Sequence, residues 1–424
     1  MNCIFAVADC NNFYVSCEQV FQPELRDKPT VVLSNNDGCV IARSPEAKAM
    51  GIAMGEPYFK VRQRMGPAWA TGQNAVQVRS ANFTLYGDMS RRVMDIIADN
   101  APEIEIYSID ECFMDYTGAA FDVVEHARAL RATLRQWTGL SVSIGLGPTK
   151  TLAKLANRKA KQDETGVYDV ADLAVRNAAL KDTAIEDVWG IGRCWSKRLK
   201  RHGLYTAHDL TIADRRWARN IMGVVGLCTI DELNGLSALA IEHSEPDKKT
   251  LCVSRSFGHT VSDRNALAER IHYFTVRAAE KLRQGDWVAG AVSVFVRGNA
   301  FRQDLPQYSN STTIGLAIAT SDTGPIVRAA QYALDRIYRS GIPYKKAGVL
   351  LLDLQPRASA PPSLFGAANP RRDHLMDVMD NLNRKFGSGA VSYGQIPQAR
   401  TWYMNQHHRS PRYTTHWQEL PMVK

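Results

Sequence analysis

Apolar and polar positions follow two rhythms along the chain, and the changes between them mark out its elements. Residues 4–8 (Ile-Phe-Ala-Val-Ala) form an unbroken apolar run ending at Asp9, as a buried strand does. Asn11 then stands where it would cap a helix carrying Tyr14 and Glu18. A second apolar strand, 30–33, runs into the turn cluster Ser34-Asn35-Asn36-Asp37-Gly38, and residues 43–80 read as a small Gly/Pro-broken insertion. A helix is predicted over 83–99, followed by strands at 103–109 and 112–116 with Asp110-Glu111 in the hairpin between them. A helix at 121–137, a strand at 140–145 and a basic helix at 149–161 complete a β-α-β…α-β-β-α-β-α order. That order predicts an α+β sheet with helices on one face.

Beyond it, residues 170–240 read as helical and basic. Strands at 251–258, 289–297, 312–317 and 348–354 alternate with helices at 265–284 and 325–340, predicting a second α+β domain. Prolines 356, 361, 362 and 370 mark an exposed linker. The tail from Arg371 returns to an amphipathic helix with Leu375, Met376, Met379 and Leu382 apolar, then becomes aromatic and basic.

Composition narrows the class. The 424 residues suit two to four domains, and 52 Lys+Arg against 43 Asp+Glu leave a net +9, which favours a polyanionic partner. The longest apolar run, 288–296, is too short to span a bilayer, and the N-terminus lacks the pattern of a signal peptide. Eight cysteines without a CxxC pair offer neither a zinc site nor a disulfide framework, so a cytoplasmic location is expected.

The sharpest chemistry is carboxylate. Asp9 at a strand end and Asp110-Glu111 in a hairpin can meet on one sheet edge. Three carboxylates there suit Mg²⁺, and two such ions would serve nucleotidyl transfer. The same acids would also serve as a helix cap and a solvated turn. The residues around them favour the first alternative. Asp9-Cys10-Asn11-Asn12-Phe13-Tyr14-Val15-Ser16-Cys17-Glu18 resembles the first motif of the Y-family DNA polymerases, and Ser108-Ile109-Asp110-Glu111-Cys112-Phe113-Met114-Asp115 resembles their Ser-Ile-Asp-Glu motif. Ser34 to Arg43 and Ser410-Pro411-Arg412-Tyr413-Thr414-Thr415 extend the resemblance end to end, towards the family's bacterial mutagenesis branch.

The resemblance implies that Asp9, Asp110, Glu111 and the backbone carbonyl of Cys10 hold two Mg²⁺ ions. It also places Phe13 and Tyr14 at the nucleotide, with Tyr14 as the steric gate against a ribose 2′-hydroxyl. Advancing about 100° per residue puts Lys150, Lys154 and Lys161 in one basic stripe, opposite Leu152, Leu155 and Ala156. A solvated face would explain the stripe, but Lys161 matches the family's triphosphate-contacting lysine. Lys159 lies off the stripe. Where relatives carry Tyr-Glu-Ala-Arg, this chain has Pro45-Glu46-Ala47-Lys48: Lys48 keeps the charge without the guanidinium fork, and Arg43 is a candidate substitute.

Val188-Trp189-Gly190-Ile191-Gly192, with Leu199 and Gly203, resembles a helix-hairpin-helix whose glycines admit a phosphate. Residues 190–220 hold eight Lys/Arg, Lys197, Arg198, Lys200 and Arg201 among them, against two Asp. A surplus of six charges points to sequence-independent backbone binding.

The expected architecture is a multi-domain right-hand polymerase. Its parts are a ferredoxin-like palm (1–35 and 81–168), small fingers (36–80), a helical thumb (169–240), an α+β little finger (248–355), a linker (356–370) and a C-terminal extension (371–424). The expected activity is error-prone translesion DNA synthesis from dNTPs on primer-template DNA, within the bacterial SOS response. Expected partners are a dimeric accessory subunit and a recombinase filament. A sliding clamp would bind through Pro361-Pro362-Ser363-Leu364-Phe365, which keeps only the Leu-Phe end of the usual segment. Tyr393, Trp402, Tyr403, Tyr413 and Trp417 would stack on bases, anchor a partner or fill a small core. The rival readings are a non-catalytic helix-hairpin-helix DNA-binding protein and a nucleotidyl cyclase or phosphohydrolase on a similar palm.

Overall fold

The computed structural model describes residues 3–66, 75–243, 247–360, 370–387, 389–394 and 404–422. Two units emerge, one of residues 1–245 with 404–424 and one of 246–403.

In the first unit the opening apolar run becomes β1 (Phe5–Cys10), buried along its whole length. It leads into α1 (Phe13–Phe21), β2 (Thr30–Leu33), β3 (Val40–Arg43), α2 (Pro45–Ala49), α3 (Tyr58–Met65) and β4 (Gln77–Ser80). Next come α4 (Phe83–Ala98), β5 (Glu103–Ile106), β6 (Glu111–Asp115), α5 (Val123–Thr138), β7 (Val142–Gly147), α6 (Lys150–Ala160) and β8 (Val167–Asp169). The strands form a five-stranded sheet, β5-β6-β1-β7-β8, and a three-stranded one, β3-β2-β4, whose central strand β2 precedes the short insertion. β8 is too brief, at three residues, for a readable period.

Asn11 does not cap α1. Asn12, left-handed at φ 49°, occupies the N-cap without a side-chain bond, while Asn11 Oδ1 accepts from Ser143 Oγ at 2.9 Å. The sheet is also covered on both faces, not one. Ala6, Ala8 and Cys10 pack with Leu85 and Tyr86 of α4 and Leu130 of α5. Phe5 and Val7 pack instead with Phe113 and with Ala153 of α6. Full burial of β1 follows from this two-sided cover. Gly145 lets α6 lie directly on β7, since a Cβ there would sit 2.0 Å from the Asn157 amide nitrogen.

The helical stretch comprises α7 (Leu173–Asp182), α8 (Arg193–Arg201), α9 (Ala207–Thr211) and α10 (Arg215–Leu233), the last interrupted at Gly223. Its core joins Leu199, Leu210 and Ile230 to Leu152 and Leu155 of α6. The second unit is β9 (Thr250–Val261), α11 (Arg264–Gln284), β10 (Trp287–Arg297), β11 (Ser309–Thr320), α12 (Thr323–Ile337), β12 (Tyr344–Pro356) and α13 (Pro370–Phe386). Its antiparallel sheet runs β11-β10-β12-β9. Arg283 of α11 clamps Asp380 of α13 at 2.7 and 2.8 Å.

Residues 404–422 return to the first unit, where Tyr413 is buried in the main core; Trp417 is exposed. Pro361 to Phe365, Trp402 and Tyr403 lie outside the described residues. No helix of the described residues is long and apolar enough to cross a membrane.

Candidate active site

The antiparallel register of β1 and β6 places Asp9 opposite Glu111. Both point to the face covered by α6, because side chains two apart share a side and Val7 opposes Phe113. Burial, with Glu111 alongside, raises the Asp9 pKa to about 7 against the opposing pull of Lys161.

α6 supplies the countercharge. Lys161 Nζ lies 2.8 Å from Asp9 Oδ2, and Lys154 Nζ lies 3.0 and 3.3 Å from the two oxygens of Glu111. Lys150, one turn earlier and only 4% exposed, pairs with Glu105. The basic stripe is therefore not a solvated face: each of its lysines meets a carboxylate of the sheet. Between them, Asn157 Nδ2 donates to the backbone oxygens of Val7 at 3.1 Å and Ser143 at 2.7 Å, fixing the helix to two strands. Lys159, off the stripe, pairs with Asp182 of α7.

Asp110 is held differently. Its backbone oxygen accepts from the Cys10 amide at 2.9 Å, joining the two motif segments. Its Oδ1 accepts from Ser108 Oγ at 2.6 Å. Among the described residues no three carboxylate, histidine or thiol groups are gathered as a ready-made metal cluster. Two adjacent hard-oxygen groups, Asp9 buried and Glu111 half-buried, that draw two ammonium ions nevertheless fit a divalent cation. The Cys10 thiol itself is buried, and its pKa is pushed far up by desolvation, then by Asp9 and Asp110.

Asp9 and Glu111 open into a cleft of about 620 Å³ that is also lined by Arg43, Lys48, Lys154 and Lys161. Lys48 Nζ donates to Asn12 Oδ1 at 2.6 Å, and its pKa is lowered by burial and by the neighbouring Arg43 and Lys161 cations. Arg43 donates to the Ile52 carbonyl. Tyr14 stacks on Tyr86 at 4.7 Å, 18° between planes, with Phe83 edge-on at 5.9 Å. The Phe13 side chain is only 3% exposed and belongs to the core, which leaves its backbone as the part able to meet a nucleotide.

Two features escaped the sequence reading. Lys154 sits over Tyr107 at 4.1 Å, Trp189 at 5.2 Å and Phe113 at 5.8 Å, an aromatic surround for the cation beside Glu111. Tyr107 precedes the Ser-Ile-Asp-Glu run and Trp189 lies in the hairpin motif, so proximity to motifs was their one available signal. Tyr86, the other, carried none.

In the hairpin, Gly190 adopts φ +87° and Gly192 caps α8. Lys197, Arg198 and Arg201 are exposed, with Arg198 over the Trp195 ring at 5.5 Å. Lys200 pairs with Glu186 at 2.7 Å. Arg193, Lys197, Arg201, Arg216 and Arg219 have no ion pair among the described residues, so this surface stays strongly positive.

Comparison with known proteins bears on the family and the fold. The impB/mucB/samB family model matches residues 8–158, its C-terminal domain model residues 248–364, and a domain of unknown function, DUF4113, residues 373–423. Protein UmuC of Salmonella typhimurium is 42% identical over 99% of this chain and 100% of its own. Protein ImpB of the same species is 40% identical over the same shares. DNA polymerase IV of Pelotomaculum thermopropionicum is 28% identical over 92% of this chain and 94% of its own. Among solved structures, a Y-family DNA polymerase chimera of Dbh and Dpo4 superposes with a TM-score of 0.65 at 19% identity, over 82% of this chain and 98% of that one. Identity of this extent over the whole length, with the paired carboxylate motifs on neighbouring strands, shows that the chain belongs to the UmuC-type Y-family DNA polymerases.

Proposed function

We propose that the cleft beside Asp9 and Glu111 is where this DNA-directed DNA polymerase of translesion synthesis joins a dNMP to the primer 3′-hydroxyl. The observation that carries the reading is the Asp9–Glu111 pair, adjacent across two strands and faced by Lys154 and Lys161. A divalent-metal requirement comes with the family. We assign two Mg²⁺ ions to Asp9, Asp110, Glu111 and the Cys10 carbonyl. Bound there, they would activate the 3′-hydroxyl and neutralise the triphosphate and the leaving pyrophosphate.

The chain's own residues do the positioning. Lys161, Arg43 and Lys48 bring three cations to the mouth of the cleft and receive the triphosphate. Lys48 is a point charge without the guanidinium fork, so it attracts the phosphate without orienting it. Tyr14, held by Tyr86 and Phe83, stands as the wall against a 2′-hydroxyl. Gly190 and Gly192 expose amides to a DNA phosphate, with Lys197, Arg198, Lys200 and Arg201 supplying sequence-independent attraction. In this reading residues 1–35 and 81–168 are the palm, 36–80 the fingers, 169–240 the thumb and 248–355 the little finger. Residues 356–370 are a linker and 371–424 an extension. The enzyme works in the cytoplasm during the SOS response, with a UmuD′-type accessory dimer and a RecA recombinase filament, and with a sliding clamp as a further partner.

Primer extension across an abasic template site, with accessory dimer, filament, Mg²⁺ and dNTPs, tests the assignment. Asp110→Asn should abolish extension and spare DNA binding. Extension equal to wild type would reject the metal assignment. DNA binding without extension by the unaltered chain would favour the non-catalytic DNA-binding reading.

A further inference from the structure

Helix α1 places Glu18 one turn after Tyr14, on the same face. Tyr86 of α4 spans both: its ring stacks on Tyr14 at 4.7 Å, and its hydroxyl donates to Glu18 Oε1 at 2.6 Å. The same Glu18 oxygen accepts from Ser410 Oγ at 3.0 Å. Glu18 is fully buried, so these two donors stand in for water at Oε1, while Oε2 has no hydrogen-bond partner among the described residues. Ser410 is itself 4% exposed and held on a second side. Asn82, the N-cap of α4, donates from Nδ2 to Ser410 Oγ at 3.0 Å and to its backbone oxygen at 3.1 Å.

The segment around Ser410 is docked, not merely near. His408 and Ser80 exchange bonds at 3.0 Å, extending the edge of the three-stranded sheet. The backbone amides of Asn405 and His407 reach Asn36 Oδ1 and Asp37 Oδ2 at 3.1 and 3.0 Å. Tyr413 stacks on Phe21 of α1 at 4.7 Å, 10° between planes, and accepts from Gln22 Nε2 at 3.0 Å. Both helices, α1 with Tyr14 and α4 with Tyr86, are thus tied to residues 405–413.

We infer that residues 405–413 brace the nucleotide-selecting aromatic, through Ser410, Glu18 and Tyr86, and so set discrimination against ribonucleotides. This gives a role to part of the domain of unknown function matched over 373–423, and it rests on Tyr14 being the gate. Ser410 and Tyr86 are positioning residues: neither meets the substrate, and each limits how far the Tyr14 ring can swing.

The test uses the full-length enzyme with primer-template, accessory dimer and filament. It compares kcat/KM for a dNTP with kcat/KM for the matching rNTP. Ser410→Ala and Tyr86→Phe each delete one hydroxyl donor and keep the packing. A net hydrogen bond corresponds to roughly 2- to 10-fold in such a ratio, and each variant should lose discrimination by that much while dNTP turnover holds. Tyr14→Ala should abolish discrimination, and Ser410→Ala added to Tyr14→Ala should change nothing further. If Tyr14→Ala abolishes discrimination while both hydroxyl deletions leave it at wild type, the brace is overturned, whatever happens to the melting temperature. If Tyr14→Ala leaves discrimination intact, the gate reading fails first and takes the brace with it.

Discussion

Gly145→Ala probes how closely α6 must lie on the sheet. A Cβ at that position would meet the Asn157 nitrogen at 2.0 Å, the Ala153 oxygen at 2.4 Å and the Asn157 Cα at 2.5 Å, all backbone atoms of α6. Real Cβ contacts essentially never fall below 3.0 Å, so the helix has to retreat by about 1 Å. Overpacking against backbone costs about 1–3 kcal/mol. The retreat also stretches the two Asn157 bonds to Val7 and Ser143, at about 1 kcal/mol each. A loss of about 3–5 kcal/mol should lower the melting temperature of the first unit by roughly 6–20 °C. Lys154 and Lys161 move with the helix, and a 1 Å misplacement around the reacting groups should cut kcat by about 100-fold. Thermal unfolding and steady-state primer extension read the two effects. Gly87→Ala is the matched control: nothing lies within 4 Å of its Cβ, and the helix around it should gain about 0.5–1 kcal/mol. Unchanged stability and turnover in Gly145→Ala would refute the close packing from which both numbers derive.

Other outcomes follow from single groups. Burial raises the Glu18 pKa above its ordinary 4.5, so the folded chain holds that proton more tightly than the unfolded one. The associated stability is full below the ordinary value and is lost as pH rises through the raised one. The melting temperature of wild type relative to Glu18→Gln should therefore fall as pH rises above the ordinary 4.5, and a flat difference would contradict it. On the hairpin surface, Lys197→Ala and Arg201→Ala should weaken DNA binding equally for all sequences. Each should reduce the slope of log K against log salt by about 0.9, as measured by fluorescence anisotropy.

Much of the fold was legible because its strands are unusually plain. β1 is covered on both faces and therefore reads as an uninterrupted apolar run, and the Asp110-Glu111 hairpin interrupts a clear alternation. The same run held a sign that was passed over: a strand apolar on both sides needs cover on both sides, so α6 had to lie opposite α4 and α5. Asn11 was misread because the chain turns through a left-handed Asn12 before the helix begins, a conformation that no neighbouring residue announces. The lysine stripe was visible as a periodicity. Its partners were not, since Glu105, Glu111 and Asp9 come from three strands whose adjacency exists only after folding. The return of Ser410 and Tyr413 to the first unit was invisible for the same reason, almost four hundred residues separating Ser410 from Glu18.

Lysine and a divalent cation would compete for the same oxygens on this sheet, and that competition is measurable. Lys154 makes a 3.0 Å ion pair with Glu111 and sits 4.1 Å over the Tyr107 ring. Lys154→Met keeps an apolar stem among the rings and deletes the charge. Stranding a half-buried carboxylate costs about 1–3 kcal/mol, and the lost cation–π contact about 0.5–2 kcal/mol. Without metal the variant should melt well below wild type. Mg²⁺ meets no ammonium at Glu111 in the variant, so it should stabilise the variant more than wild type and narrow the gap. Calorimetry with and without excess Mg²⁺ gives both numbers, and equal shifts would mean that Glu111 is not shared between lysine and the ion. Lys150 supplies the internal comparison, because it is a buried lysine of the same helix paired with Glu105, which has no place in the proposed metal site. Lys150→Met should be destabilised by the same amount with Mg²⁺ or without it, so any narrowing there would trace to general charge screening and not to the carboxylates of Asp9 and Glu111.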